Sequence, residues 1–516
     1  MKRDEKPSFG GRARGGVAAI LAGMLAAVGL AIHPAHSKQG FDIVLSGGRV
    51  IDPETRLDGP RYVGIKDGKI VAISRKPLTG ARVIDAAGLV VAPGFIDLHA
   101  HGQDETANRL QALDGVTTAL ELEGGTDKIA ESYAARQDKS VLNFGYSASH
   151  AWLRTRVLAE KLGIDLDNEE GTGALYERLA LTSATPADEI LIQEAIGGAL
   201  DEGALGIGFG IAYTPGAGRS EIFHLFEMAA ARGAPITVHV RSVVPEDLSP
   251  EPEFQQMQEV VADAAATGAR LHICHVTSTG VGVTPQILEL IDGARARGVD
   301  VTTEAYPYTA GSTSLTSTIF LPGWQKKVGG VSYDSIVWVK TGERLTESTF
   351  KAYREEAMKS GGDAQVIIHF IPESAMDVAI SHPDVIIASD GGFWRTGREH
   401  PRGAGTFSKV LGRYVREKEA IDLMGALRKM TILPAQRLEH VAPQMKRKGR
   451  IQEGADADIV VFSPERIIDK ATFESPMQPS EGVRYLLVNG ELVVEDGAFV
   501  SGVYPGRAVR GNVSPP

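Results

Sequence analysis

Nine consecutive residues, Pro93-Gly94-Phe95-Ile96-Asp97-Leu98-His99-Ala100-His101, join an apolar β-rich run to two histidines one residue apart. Side chains on a strand alternate between faces, so His99 and His101 share one, with Cα atoms roughly 6.5 Å apart. Two imidazoles at that spacing can hold one ion, and imidazole suits zinc and related divalent metals. Further ligand types close other apolar runs: Val238-His239-Val240-Arg241, Cys274-His275-Val276 and Ser389-Asp390-Gly391. Ala119-Leu120-Glu121-Leu122-Glu123-Gly124-Gly125 places two carboxylates on one strand face. A buried carboxylate is costly unless paired or metal-bound. Glu123, nearer the end of its run, is expected to bridge two metals, with Glu121 deeper and paired with a cation.

That donor set points to hydrolysis. A divalent ion lowers the pKa of water to roughly 7 and polarises an amide carbonyl. Asp390 is placed to take a proton from the attacking water and return it to the leaving nitrogen. Tyr213 or Tyr308 could donate to the oxyanion. Arg402, and as a second candidate Arg241, can grip a substrate carboxylate with paired hydrogen bonds. His150 reads as structural. His369, His382 and His400 end no core strand and are not expected to be ligands. Gly124-Gly125 and Gly391-Gly392 match no phosphate loop.

These residues need a scaffold that brings distant strand ends together. Eight candidate strands (89–98, 117–123, 141–147, 205–213, 235–240, 270–276, 299–306 and 385–389) alternate with helical patterns such as 221–232 and 254–267. Parallel βα units of this number fit an α/β fold of the (β/α)8 TIM-barrel type, whose site lies at the C-terminal ends of the strands. Residues from about 313 to 384 exceed one βα unit and are expected to form a lid. Hairpin-like patterns at 41–52 and 63–73 return at 457–462 and 485–494. They predict a small β-sandwich built from both chain ends, 38–92 and 431–516, around a barrel of 93–430.

The 516 residues are 43% apolar and 23% charged, which excludes a disordered chain or a coiled coil. A net charge of −11 argues against nucleic acid as a partner. Cys274 is the only cysteine, so no internal disulfide exists. Lys2, Arg3, Lys6, Arg12 and Arg14 precede an uncharged apolar run, 17–32, and Ala35-His36-Ser37. This is the pattern of a signal peptide over 1–37, the apolar run being short for a membrane span. Export to a periplasm is expected, with cleavage near Ser37 and no membrane association afterwards. A homo-oligomer is left open.

The whole pattern resembles the amidohydrolase superfamily, and within it the N-acyl-D-amino-acid deacylases, or D-aminoacylases. The segments that carry the resemblance are Gly115-Val116-Thr117-Thr118, Ala204-Leu205-Gly206, Tyr213-Thr214-Pro215-Gly216 and Tyr306-Pro307-Tyr308-Thr309-Ala310-Gly311-Ser312-Thr313. Ser389-Asp390-Gly391, His400-Pro401-Arg402, Gly405-Thr406-Phe407, Lys429-Met430-Thr431 and Gly454-Ala455-Asp456-Ala457-Asp458 continue it. The resemblance implies a zinc hydrolase with one or two divalent ions. His99, His101 and Asp390 would hold the more exposed ion, and His239 and His275 the tighter one. Tyr308, Ser312 and Arg402 match positions that grip the substrate. Two departures stand out. The family often has a cysteine ligand after strand two, where this chain has Glu123-Gly124. Its His-Lys segment after strand six is here Val276-Thr277-Ser278, which removes a pocket cation. The expected reaction is removal of the acyl group from a small N-acyl amino acid of D configuration. The alternative is a dipeptidase or cyclic-amide hydrolase with the same centre. A non-catalytic binding protein would lack ligands that are all present.

Overall fold

The computed structural model describes residues 40–166, 173–242, 251–360 and 363–513. The signal segment expected over 1–37 lies outside them. Short runs rich in Val, Ile, Phe and Ala form eight parallel barrel strands: β1 (Phe95–Asp97), β2 (Val116–Thr126), β3 (Asn143–Ser149), β4 (Ile207–Gly210), β5 (Pro235–His239), β6 (Arg270–Ile273), β7 (Val301–Ala305) and β8 (Val385–Ile387). They pair in the order β8-β7-β6-β5-β4-β3-β2-β1. Most of their residues are buried on both faces, as parallel sheets between helices require. Helices such as Arg219–Arg232, Pro252–Thr267 and Thr284–Ala296 form the outer layer. Gly233, left-handed at φ 67°, ends the first of these and turns the chain into β5.

The seam between β1 and β8 has no regular ladder. Asp97 joins it instead, its carboxylate accepting from the backbone N–H of Ser389 (3.0 Å) and of His99 (3.1 Å). A single bridge, Ala100 with Gly391, adds to the closure. One joint therefore fixes both the barrel and the two loops that carry His99, His101 and Asp390.

The run expected over 89–98 divides at Gly94, where a Cβ would collide with the Thr117 side chain. Val90–Pro93 belongs to a nine-stranded sheet built from both chain ends. Phe41–Asp52 is its spine, pairing with Leu57–Lys66, Gly80–Asp85 and Val90–Pro93. Ile459–Phe462 adds antiparallel to Val90–Pro93, followed by Val483–Val488 and Glu491–Glu495. The C-terminal half of this sheet thus starts at Ile459 rather than at 431. Helix Ile432–Leu438 instead plugs the barrel, its Ala435 and Leu438 packing with Ile96, Leu98, Leu120 and Leu122. The lid also differs from its expected bounds. It is a three-stranded antiparallel sheet of Ala310–Ser314, Ile336–Trp338 and Gln365–His369, with its own core of Leu315, Phe320, Trp324, Trp338 and Phe350. Glu373–Ser381, inside the expected 313–384, is a barrel helix whose Ala379 and Ile380 join the main core with Val385 and Ile387. No helix of the described residues is long and apolar enough to cross a membrane.

A buried polar knot ties the end sheet to the barrel. Asp458 accepts from Lys448 Nζ (2.7 Å), Asn143 Nδ2 (3.0 Å) and the Asn489 N–H (2.6 Å). Asp458→Ala strands Lys448 and Asn143 in a buried site. It is expected to lower stability by about 2–4 kcal/mol, read as a fall in the denaturant midpoint. An unchanged midpoint would remove the knot's role.

Candidate metal centre

Six expected ligands converge at the C-terminal mouth of the barrel. His99 and His101 follow β1, Glu123 lies on β2, His239 ends β5, and His275 and Asp390 sit just past β6 and β8. His275 (φ 28°) and Asp390 (φ 52°) both adopt left-handed backbone, which side chains other than glycine rarely do. Such strain persists where surrounding structure enforces it, and it concentrates at functional sites.

The inward-facing nitrogens crowd one another. His99 Nε2 lies 3.1 Å from His101 Nε2, and Asp390 Oδ1 is 3.5 and 3.3 Å from the two. Glu123 divides its oxygens. Oε2 lies 3.2 and 3.3 Å from Nε2 of His99 and His101, while Oε1 is 2.8 Å from His239 Nδ1 and 3.3 Å from His275 Nε2. One carboxylate thus faces both histidine pairs, the arrangement a bridging ligand needs.

The outer nitrogens explain why the inner ones need a cation. His99 Nδ1 donates to Glu304 Oε1 (2.5 Å) and His101 Nδ1 donates to Glu121 Oε2 (2.7 Å). His275 Nδ1 is 2.9 Å from Ser278 Oγ. Carboxylate partners of this kind fix the tautomer and leave Nε2 as a lone pair. Two lone pairs 3.1 Å apart, with carboxylate oxygens alongside, repel unless positive charge lies between them. Burial pushes His99 and His101 down, yet the carboxylates of Asp390, Glu304 and Glu123 around one, and of Glu121 and Asp390 around the other, hold both well above the usual imidazole range. Burial likewise pushes Glu123 up, and His99, His101, His239 and His275 outweigh it, keeping it well below the usual range. The site demands cationic charge, and the donor set fits one or two divalent ions.

Glu121 does not sit deeper beside a cation. It orients His101 and accepts the Gly124 and Gly125 N–H groups (3.0 and 3.2 Å). Sequence reasoning missed Glu304 on β7, though a carboxylate inside the run Val301-Thr302-Thr303-Glu304-Ala305 was a visible signal. It binds His99 and, through Oε2, His272 Nε2 (3.0 Å). Burial pushes Glu304 up, but the two histidines bring it down to about 2. Cys274 groups with His99 and Glu304, but burial pushes its thiol well up, which keeps it a protonated, poor ligand.

The substrate residues divide. Tyr213, Ser312 and Arg402 line the cavity at the centre. Arg402 Nη1 lies 2.7 Å from Asp390 Oδ2, and the guanidinium packs over the Tyr306 ring at 4.7 Å. Tyr308 does not reach the cavity. Pro307 turns the chain, and the Tyr308 ring packs against His400, Phe473 and Lys409. Tyr306 takes its place, a buried ring whose hydroxyl has Ser278 beside it and makes no well-formed hydrogen bond. Arg241 lines the cavity wall but is held by Glu259 (2.9 Å) and the Ala217 carbonyl (3.0 Å). His150 pairs with Glu221 (2.8 Å) inside the fold, and His400 Nε2 donates to the Ala310 carbonyl (2.9 Å). Neither touches the centre.

The model of the amidohydrolase family matches residues 82–494, most of the chain. The chain belongs to the amidohydrolase family. An N-acyl-D-glutamate deacylase of Alcaligenes xylosoxydans xylosoxydans is 30% identical, the match covering 92% of this chain and 98% of that relative. The crystal structure of an N-acyl-D-glutamate deacylase from Bordetella bronchiseptica, complexed with zinc and a phosphonate mimic of the tetrahedral intermediate, is 27% identical. It superposes with a TM-score of 0.75 over 91% of this chain and 100% of that one. A D-aminoacylase structure with a binuclear metal centre, 26% identical, matches with the same TM-score and coverage. This amidohydrolase is a metal-dependent hydrolase of amide bonds.

Two outcomes check the centre. Glu123→Gln is expected to lower the amount of bound metal per chain, measured by elemental analysis. Glu304→Gln should weaken metal affinity roughly 10–100-fold in chelator competition. Unchanged stoichiometry and affinity would show that neither carboxylate serves the site.

Proposed function

We propose that the chain removes the acyl group from N-acyl amino acids of D configuration by attack of water on the amide carbonyl. His99, His101 and Asp390 hold one ion, His239 and His275 the other, and Glu123 joins them. The support is the donor set together with relatives named for N-acyl-D-glutamate and for D-aminoacylase activity. The observation that carries the reading is Arg402, a buried guanidinium that touches Asp390 and leaves Nε without a partner at the cavity. A substrate carboxylate at Arg402 would have Tyr306 and Ser312, which line the same cavity, as neighbours. Val276-Thr277-Ser278 adds no charge to this grip, so Arg402 carries it. Arg241, already paired with Glu259, shapes the wall instead.

Zinc or a similar divalent ion in this site supplies Lewis acidity and water ionised near neutral pH. Burial pushes Asp390 up, but Arg402, His99 and His101 pull its carboxyl far below the usual range. Asp390 is therefore ionised throughout the working range and accepts the proton of the attacking water. It then delivers that proton to the amide nitrogen, which leaves poorly unless protonated. Burial, with Glu123 nearby, pushes the Tyr213 hydroxyl up, so it stays a donor for the oxyanion.

Asp390→Asn is expected to lower kcat roughly 10²–10⁴-fold on N-acetyl-D-amino acids. Exhaustive chelation should abolish the reaction and zinc should restore it, with N-acetyl-L-amino acids turned over poorly. Activity that survives chelation, or an L preference, would overturn the reading. The basic start, the apolar run 17–32 and Ala35-His36-Ser37 support export as part of this proposal. N-terminal sequencing of protein from the periplasmic fraction should then begin near residue 37, whereas a chain starting at Met1 in the cytoplasm would refute it.

A further inference from the structure

We infer that the acyl half of the substrate is a bulky apolar chain, seated in the larger of two chambers that meet at the metal centre. The inference rests on the N-acyl amino acid reading and names the acyl class it left open.

The two chambers share His101, Glu123, Tyr213, Ser312 and Arg402. A scissile amide at those donors must send its two halves in different directions. The smaller chamber, about 110 Å3, holds Tyr306, Ser278, Thr279 and Gln256 beside the shared Arg402 and Ser312, a compact polar set that suits a carboxylate. The amino-acid half belongs there. The larger chamber, about 650 Å3, is left for the acyl group. Cavities on the order of 300–1,000 Å3 enclose drug-sized ligands, and an acetyl group fills a small part of that.

The wall of the larger chamber states the chemistry. Trp152 and Phe393 both line it, and each is 48% exposed. Tyr504 aside, they are the only strongly exposed aromatic rings among the described residues. Neither ring hangs loose. Trp152 packs edge-on to Tyr176 at 5.6 Å, and the Arg395 guanidinium covers one face of Phe393 at 5.6 Å. Both belong to segments that follow barrel strands at the mouth: Trp152 to the helix His150–Lys161 after β3, and Phe393 to the loop after β8. Gly124, Gly125 and Gly392 line the same chamber and add no side chain to its wall.

Away from the metal donors and the shared Arg402, the charged groups that line this chamber have partners of their own. Glu399 accepts the N–H groups of Arg395, Thr396 and Gly397 (2.7, 2.6 and 2.9 Å), and Arg395 lies 3.6 Å from Asp363. A chain that enters meets the two rings and glycine backbone, beside Ser and Thr hydroxyls and partnered charged groups. That suits a fatty acyl tail better than a charged aminoacyl group. Exposed rings converging on one cavity are the surface such a tail would cover.

The test uses the zinc-loaded full-length enzyme and paired N-acetyl and N-octanoyl derivatives of whichever D-amino acid the preceding assay finds most readily hydrolysed. Each methylene withdrawn from water contributes roughly fourfold. kcat/KM for the octanoyl substrate is therefore expected to exceed that for the acetyl one by roughly tenfold or more. Trp152→Ala and Phe393→Ala should each shrink that ratio. Equal or faster hydrolysis of the acetyl substrate by the wild-type enzyme overturns this inference and leaves deacylation standing. Failure to hydrolyse either substrate overturns both. An undiminished ratio in both variants also overturns the inference, because the rings would then have no part in it.

Discussion

The constraint that governs this molecule is electrostatic: a buried centre holds several carboxylates and four imidazoles whose lone pairs point at one another. Glu123 is its pivot. With one oxygen toward His99 and His101 and the other toward His239 and His275, it is the single side chain common to both histidine pairs. Such a cluster is unfavourable without cationic charge, because buried carboxylates lose hydration and gain only each other's repulsion. The carboxylates around His99 and His101 hold both imidazoles well above their ordinary range, a second expression of the field that favours a cation there.

The partners behind the ligands keep that field aimed. Glu304 and Glu121 each take one imidazole N–H, and Ser278 faces a third ring, which directs Nε2 inward in all three cases. The backbone contributes as well. Asp97 clamps the β1–β8 seam through Ser389 and His99, and burial pushes its carboxyl up to about 6 despite these hydrogen bonds. That energetic burden is tolerated because the same carboxylate sets the spacing between the His99–His101 segment and Asp390. The joint that closes the barrel is also the joint that builds half the metal site.

How far the sequence revealed this follows from where each residue sits on a strand. Period-two alternation put His99 and His101 on one face, and the structure brings both to the barrel mouth beside Glu123, because isolated bridges to Glu121 and Gly391 hold that segment past the end of β1. The same reasoning failed one step beyond a strand end. β5 stops at His239, so parity no longer applied to Arg241, which swings to Glu259. β7 stops at Ala305, and Pro307 breaks the register so that Tyr306 enters the cavity while Tyr308 packs behind it. Glu304 was legible in principle, since a carboxylate within an apolar strand needs a partner, but its partners His99 and His272 lie at other strands, 205 and 32 residues away. The limits of the lid were not legible. The helix Glu373–Ser381 has the same apolar pattern whether it covers a lid or a barrel, and only the packing of Ala379 and Ile380 decides.

Glu123 stands where the family resemblance implied a cysteine. A thiolate offers one soft sulfur to two ions, whereas a carboxylate offers two hard oxygens on a longer arm. Here Oε2 faces His99 and His101 while Oε1 faces His239 and His275. Chemistry and recognition are then carried by different parts of the fold. Ligands and base sit at or just past strand ends, where the barrel dictates their position. Tyr306, Ser312, Trp152, Phe393 and Arg402 come from the segments beyond those ends and from the lid. Changes in these segments leave the donors in place, because Asp97, Glu121 and Glu304 hold the centre from within the barrel. A fold arranged this way can alter which amide it accepts without rebuilding the site that cleaves it.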